Sequence, residues 1–223
     1  MTKRILLFSG SQRRDSLNTL LLGEVAERLR EIVGASMSID MLQPSNIVLP
    51  IFNQDAESVP TIIKACRDLY SSFNSSSGFI VASPEHNGQV SAFLKNTMDW
   101  ISRLQHTQPS LGNPFLDKPV LLCGASTGSS GGILAIQSAK ALFSHLGCLV
   151  LGDQLTLPFA DQLIMDKQYD LPPYFEEQLG FALDRYLNLV NQKDPAIPPI
   201  AGGLEWPSRE AESKAVVIES LKA

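Results

Sequence analysis

Arg4-Ile5-Leu6-Leu7-Phe8-Ser9-Gly10-Ser11-Gln12-Arg13-Arg14-Asp15-Ser16-Leu17-Asn18 passes from an unbroken apolar run through a polar turn into an amphipathic segment. Physically that is a buried strand, a short loop and the start of a helix. The first turn of a helix presents backbone N–H groups with no internal partner, and the helix dipole makes that end attract anions. The loop adds the hydroxyls of Ser9, Ser11 and Ser16, the amide of Asn18 and the guanidinium groups of Arg13 and Arg14. A loop so rich in donors, at the end of a first strand, suits a phosphate. Of the two arginines, Arg14 reads equally well as a solvated surface charge.

Outward from this point, apolar runs alternate with helical patterns. Leu17, Leu20, Leu21, Val25, Leu29, Ile32 and Val33 recur at helical spacing. A weaker strand is predicted over 36–42, then a loop over 43–56, then a helix from about Pro60, a good first-turn residue, to about Phe73. The third strand is placed at 78–83 with a helix at 90–104, and the fourth at 119–124 with a helix at 132–146. A fifth strand at 148–151 leads to a last helix near 173–191. Strands one, three and four are almost continuously apolar, as a parallel sheet covered on both faces requires. The prediction is an α/β fold: a flavodoxin-like, doubly wound, five-stranded parallel sheet with helices on both faces. In that architecture ligands sit beyond the carboxyl ends of the strands, where strand order reverses. The loops after strands one, three and four therefore converge on one edge.

This domain is expected to occupy residues 1–192, with a proline-rich linker and C-terminal tail over 193–223. Four prolines and two glycines fall between Asp194 and Pro207. Beyond them, 208–223 reads either as a disordered tail or as a short charged helix packing on a neighbouring subunit.

With 44% hydrophobic and 18% charged residues, the 223-residue chain has the means to bury a substantial core. A net charge of −5 argues against general nucleic-acid binding, where a basic face supplies most of the affinity. No run approaches the ~20 apolar residues needed to cross a bilayer, and the start of the chain lacks a signal-peptide pattern. Cys66, Cys123 and Cys148 are odd in number, widely spaced and set among apolar neighbours, which favours buried reduced thiols. A cytoplasmic protein is expected.

Ser83-Pro84-Glu85-His86-Asn87-Gly88 ends the third strand. Proline fixes its own backbone, and Asn-Gly permits a positive-φ turn, so this is a rigid turn able to offer backbone amides to a flat ring. An ordinary strand-to-helix turn accounts for the same residues. The loop over 124–132, Gly-Ala-Ser-Thr-Gly-Ser-Ser-Gly-Gly, has little side chain, and its glycines let backbone approach a ligand closely. Without a lysine after the glycines it is not a Walker-type loop. It does match Gly-x-Ser-x-Gly, the nucleophile elbow of α/β-hydrolases, with Ser126 at the centre. A triad in that order needs an acid and then a histidine. The only histidine after Ser126 is His145, several turns along the next helix, so the hydrolase lacks its base. His86, His106 and His145 form no recognised metal-ligand spacing.

Together these loops resemble the NADPH-dependent FMN reductase family, which includes azoreductases and chromate and quinone reductases. The matching residues are Gly10-Ser11-x-Arg13-x-x-Ser16-x-Asn18, Leu49-Pro50-Ile51-Phe52, Pro84-Glu85-His86-Asn87-Gly88 and Leu94-Lys95-Asn96-x-x-Asp99-Trp100, in order from Arg4 to about Leu155. The resemblance implies that Ser11, Arg13, Ser16 and Asn18 bind the FMN phosphate. It implies that Pro84, Glu85, His86, Asn87 and Gly88 line the isoalloxazine, with Ser126, Thr127 and Gly128 closing the other side. The family generally has tyrosine where this chain has His86. The activity implied is ping-pong hydride transfer from NADPH or NADH to FMN, then to a quinone, azo, chromate or flavin acceptor. Since the flavin carries that chemistry, no catalytic triad or metal is needed. The family also implies a homodimer or homotetramer, with Asp99, Trp100 and Arg103 either packing inward or near a subunit contact. The rival of another class is a flavodoxin-like electron carrier without its own NAD(P)H oxidation; Arg13 and the modest charge favour the reductase. A flavin-free binding or regulatory protein on the same fold is a third reading.

Overall fold

The computed structural model describes residues 2–192; the expected tail over 193–223 lies outside them. In chain order the strands are β1 (Lys3–Ser9), β2 (Met37–Leu42), β3 (Gly78–Ala82), β4 (Glu85–His86), β5 (Gln89–Val90), β6 (Pro119–Ala125), β7 (Leu149–Val150), β8 (Leu155–Leu157), β9 (Ile164–Met165) and β10 (Gln168–Tyr169). The helices are α1 (Leu17–Val33), α2 (Pro60–Asn74), α3 (Ala92–Thr107), α4 (Ile133–His145) and α5 (Pro173–Asn191).

The main sheet runs β2-β1-β3-β6, and both β7 and β8 then pair with β6, all in parallel. The chain leaves β1 toward β2 and returns to β3 on its other side, so strand order reverses between β1 and β3. Side chains alternate across this sheet as the two-residue strand period demands. Ile5 and Leu7 pack with Leu21, Leu22, Val25 and Leu29 of α1 and with Leu183 and Tyr186 of α5. Leu6 and Phe8 point the other way, toward Phe73 of α2, Leu94 and Met98 of α3, and Phe143 of α4. The result is three layers, with α1 and α5 on one face and α2, α3 and α4 on the other.

The expected α/β architecture is present, with one difference at the fifth position. That strand is broken: β7 pairs at Pro119 and Val120, and β8 resumes at Cys123 to Ala125. Leu151 still donates to Val120 O (3.0 Å), but the intervening 152–154 leaves the ladder, so sequence reading found only the first piece. The turn after β3 is a small antiparallel hairpin, β4–β5, and α3 starts two residues later than expected. All three cysteines are buried and none is in a disulfide. Burial pushes the thiols of Cys66 and Cys123 up, to about 11 and about 12 respectively. No helix among the described residues is long and apolar enough to cross a membrane.

Candidate functional site

The loop after β1 is fixed from within by its own short polar side chains. The buried Ser9 hydroxyl accepts from the N–H of Ser11 (3.3 Å) and the hydroxyl of Thr19 (2.8 Å). Ser16 is the N-cap of α1, its hydroxyl accepting the Thr19 N–H at 3.2 Å. That leaves the N–H groups of Leu17 and Asn18, both at the cavity described below, with no acceptor among the described residues. Gly10 is pressed between elements, its N–H bonded to Ala82 O (2.7 Å); a side chain there would meet Leu94 Cβ at 3.2 Å and Ala82 O at 3.3 Å. The buried Ser91 hydroxyl donates to Gly10 O and accepts the Leu94 N–H at 3.0 Å, capping α3 while pinning the loop.

Asn18 spans two loops. Its Nδ2 donates to Ala125 O and its Oδ1 accepts the Ala125 N–H, each at 3.0 Å, fastening the first turn of α1 to the end of β6. Behind that turn Tyr169 donates from its hydroxyl to Leu17 O (3.1 Å), while its N–H bonds Glu24 (3.1 Å). Burial, then the charges of Asp161 and Glu24, push the Tyr169 hydroxyl above its ordinary range, so it remains a donor.

The loops after β1, β3 and β6 meet in one open cavity of about 450 Å³, over the point where strand order reverses. Nine of the twelve residues expected to bind line it: Ser11, Arg13, Ser16, Asn18, Pro84, Glu85, His86, Ser126 and Thr127. Asn87, Gly88 and Gly128 sit just outside. Asn87 (φ 54°) and Gly88 (φ 74°) form the hairpin tip, and Gly128 donates its N–H to Ser126 Oγ at 3.1 Å. Arg13 and His86 are exposed, and neither side chain makes a hydrogen bond or ion pair among the described residues. Arg14 faces a neighbouring cleft of about 550 Å³ between α1 and the β9–β10 hairpin, away from the cavity. His145 ends α4 at the opposite end from Ser126. No group of three His, Cys, Asp or Glu is placed to hold a metal among the described residues.

Gln12, Ser91 and Phe93 also line the cavity and were not singled out from the sequence. For Ser91 a signal existed: a serine immediately before an apolar helical run is an N-cap pattern. Gln12, Ala92 and Phe93 also belong to an adjoining groove of about 500 Å³, floored by Ile47, Leu49 and Phe52. Its loop hangs from α3. Asn96 accepts the Phe52 N–H (2.7 Å) and donates to Pro50 O (2.9 Å), and Trp100 Nε1 donates to the same carbonyl at 2.8 Å. Trp100 is buried, edge-on to Phe52 with ring centroids 4.9 Å apart, so its packing role is realised. Arg103 pairs with Glu57 at 2.6 Å.

The donor set suits FMN. At the α1 end, a guanidinium, two hydroxyls and unpaired helix N–H groups match the oxygens of a phosphomonoester. At the other end, the Pro84–His86 backbone and the short side chains of Ser126 and Thr127 flank a space that a flat ring can enter.

The chain is similar to several known proteins. Residues 3–162 match the family model described as NADPH-dependent FMN reductase. A quinone reductase of Escherichia coli is 30% identical over 151 residues, 66% of this chain and 73% of that protein. An NAD(P)H-dependent FMN reductase of Pseudomonas aeruginosa is 31% identical over 196 residues, 87% of this chain and 92% of its own. Among solved structures, the flavoenzyme NAD(P)H:(acceptor) oxidoreductase FerB from Paracoccus denitrificans aligns with a TM-score of 0.65 at 22% identity, covering 85% of this chain and 98% of that one. An azoreductase from Bacillus anthracis aligns at a TM-score of 0.52 and 15% identity, covering 85% and 99%. These two likenesses speak to the fold. With the family model matched from β1 to the end of β8, this chain belongs to the NADPH-dependent FMN reductase family.

Proposed function

We propose that the chain is an FMN-dependent NAD(P)H oxidoreductase in which the electron donor and then a small oxidised acceptor occupy the same open face in turn. The observation that carries this is the meeting of the β1, β3 and β6 loops in one cavity of about 450 Å³, lined by Ser11, Arg13 and Ser16 from the first loop and by Pro84–His86, Ser126 and Thr127 from the other two. Bound FMN supplies the hydride and electron chemistry. The protein's part is to hold and to expose. Ser11, Arg13, Ser16 and the first-turn N–H groups of α1 hold the phosphate, each charge-assisted bond contributing about 1.5–3 kcal/mol. Asn18 holds the cradle in shape through Ala125. Pro84 to Gly88 border one edge of the ring and Ser126, Thr127 and Gly128 the other, with the exposed His86 beside the open face.

Quinones are the acceptor class that the names of the relatives favour, as in the Escherichia coli protein and an NADPH:quinone oxidoreductase of Arabidopsis thaliana. Azo compounds, chromate and free flavin fit the same open face. The test is a visible spectrum after incubation with FMN and desalting, followed by anaerobic NADPH and then NADH. The expected result is a retained flavin band that NADPH bleaches and that returns when a quinone is added, with parallel lines in two-substrate initial-rate plots. A band retained but bleached by neither nucleotide would mean an electron carrier. No retained band would remove the cofactor.

We further infer a cytoplasmic homodimer or homotetramer, with residues 1–192 as the cofactor-binding domain and 193–223 as a linker and tail. Val48 and Ile51, 82% and 89% exposed on the loop hung from α3, are apolar side chains that such an assembly would cover. Sedimentation is expected to show twice or four times the mass of the chain. A monomer at working concentration would overturn the assembly.

A further inference from the structure

One side chain joins the hairpin after β3 to the loop after β6. Glu85 lies on β4, and its Oε2 accepts the N–H groups of Leu134 (2.9 Å) and Ala135 (3.2 Å). Those groups belong to the first turn of α4. The N-cap of that helix is Gly132, at φ 87°, which has no side chain to cap with. Caps ordinarily come from the N-cap residue itself. Here the cap arrives from the hairpin, and its negative charge meets the positive end of the helix dipole.

The hairpin depends on this support. Each of its strands is two residues long, and its tip, Asn87-Gly88, has the positive φ angles of a tight two-residue turn. So short a ribbon does not hold its own shape in water. Besides Glu85, α4 offers it Ser138, whose hydroxyl donates to Gln89 Oε1 at 2.7 Å. Leu134 also lies close over Gly88, 3.4 Å from where a Cβ would be. Removing the carboxylate therefore breaks the only side-chain hydrogen bonds that, among the described residues, tie the Pro84–His86 stretch to a helix.

We propose that Glu85 is a positioning residue: through Leu134 and Ala135 it straps the ring-bordering hairpin to α4 and so sets the flavin site. The inference rests on the FMN-reductase reading above. Both bonds go to one oxygen, so glutamine keeps the acceptor without the charge. Glu85→Asp keeps the charge but withdraws the oxygen by one methylene.

FMN titration of the apo-protein tests this, read by flavin fluorescence and by the visible spectrum of the bound form. Amide exchange at Leu134 and Ala135 is measured alongside. Glu85→Ala is expected to weaken FMN binding at least tenfold, to alter the bound flavin's spectrum and to speed exchange at the two amides about tenfold or more. Glu85→Asp should follow it, and Glu85→Gln should stay within about threefold of wild type. Wild-type affinity in both the alanine and aspartate variants would overturn the proposal. So would a glutamine variant as weak as alanine, which would make charge rather than the strap responsible. If the wild-type chain binds no FMN, the cofactor reading fails. Exchange at Leu134, Ala135 and the tip amides of Asn87 and Gly88 then decides the strap alone, and rates unchanged in Glu85→Ala overturn it.

Discussion

Arg13→Ala is expected to raise the dissociation constant for FMN by about 10- to 100-fold, from the loss of charge-assisted bonds worth about 1.5–3 kcal/mol. Among the described residues Arg13 is the one arginine or lysine lining the cavity, it is exposed, and no ion pair engages it. Its removal leaves no orphaned partner in the apo-protein, so Tm should stay within about 1–2 °C. Arg14→Ala is the control. That residue faces the neighbouring cleft, and its loss should change FMN affinity by less than about threefold. Isothermal titration of both variants at two salt concentrations checks the pair. A phosphate-bound arginine makes wild-type affinity fall with salt, and the fall should be shallower in Arg13→Ala. Equal effects of the two substitutions would show that the loop acts as a diffuse positive region without a specific phosphate contact.

The second large effect concerns the core. Gly78 opens β3, where a Cβ would stand 2.6 Å from Tyr186 Oη, 3.0 Å from Pro119 O and 3.1 Å from Val190 Cγ2. Tyr186 is fully buried, and its hydroxyl has no hydrogen-bond partner among the described residues. Burial, and then Cys148, hold that hydroxyl well above the ordinary tyrosine pKa, so it stays neutral. Gly78→Ala is expected to cost about 2–3 kcal/mol by overpacking, roughly 5–10 °C in Tm for a domain of this size. Tyr186→Phe should be neutral or stabilising by up to about 1 kcal/mol, because it removes an unsatisfied buried group. The double variant should recover about half the loss, since the Pro119 carbonyl and Val190 remain in the way. Urea denaturation of all four proteins gives the coupling directly. A Gly78→Ala cost that is the same beside phenylalanine would place the strain elsewhere.

The strand–loop–helix at Arg4–Asn18 was legible because every signal in it is local: an apolar run, a cluster of hydroxyls, then helical spacing. The convergence of three loops followed from strand order alone. What escaped were features that exist only across the fold. β8 is three residues long between an irregular turn and Pro158, too short to show a period. Asn18 reads from sequence as a free phosphate donor, yet both ends of its amide are engaged by Ala125, which is 107 residues away. Arg13 and Arg14 are indistinguishable by type. Only the direction in which the loop turns sends one to the cavity and the other to the cleft behind. Asn96 and Trp100 were noticed as a motif, but their work on Pro50 depends on where a remote loop comes to rest.

The clasp of Asn18 on Ala125 makes the site a gauge of length. Because the proposed phosphate cradle is tied to the end of β6 by two hydrogen bonds, its spacing from Ser126 and Thr127 is set by that clasp rather than by flexible loops. On the proposed reading, ligands would be sorted by span as well as by charge: a molecule with the right head and the right tail, but too short a rod between them, would reach only one end.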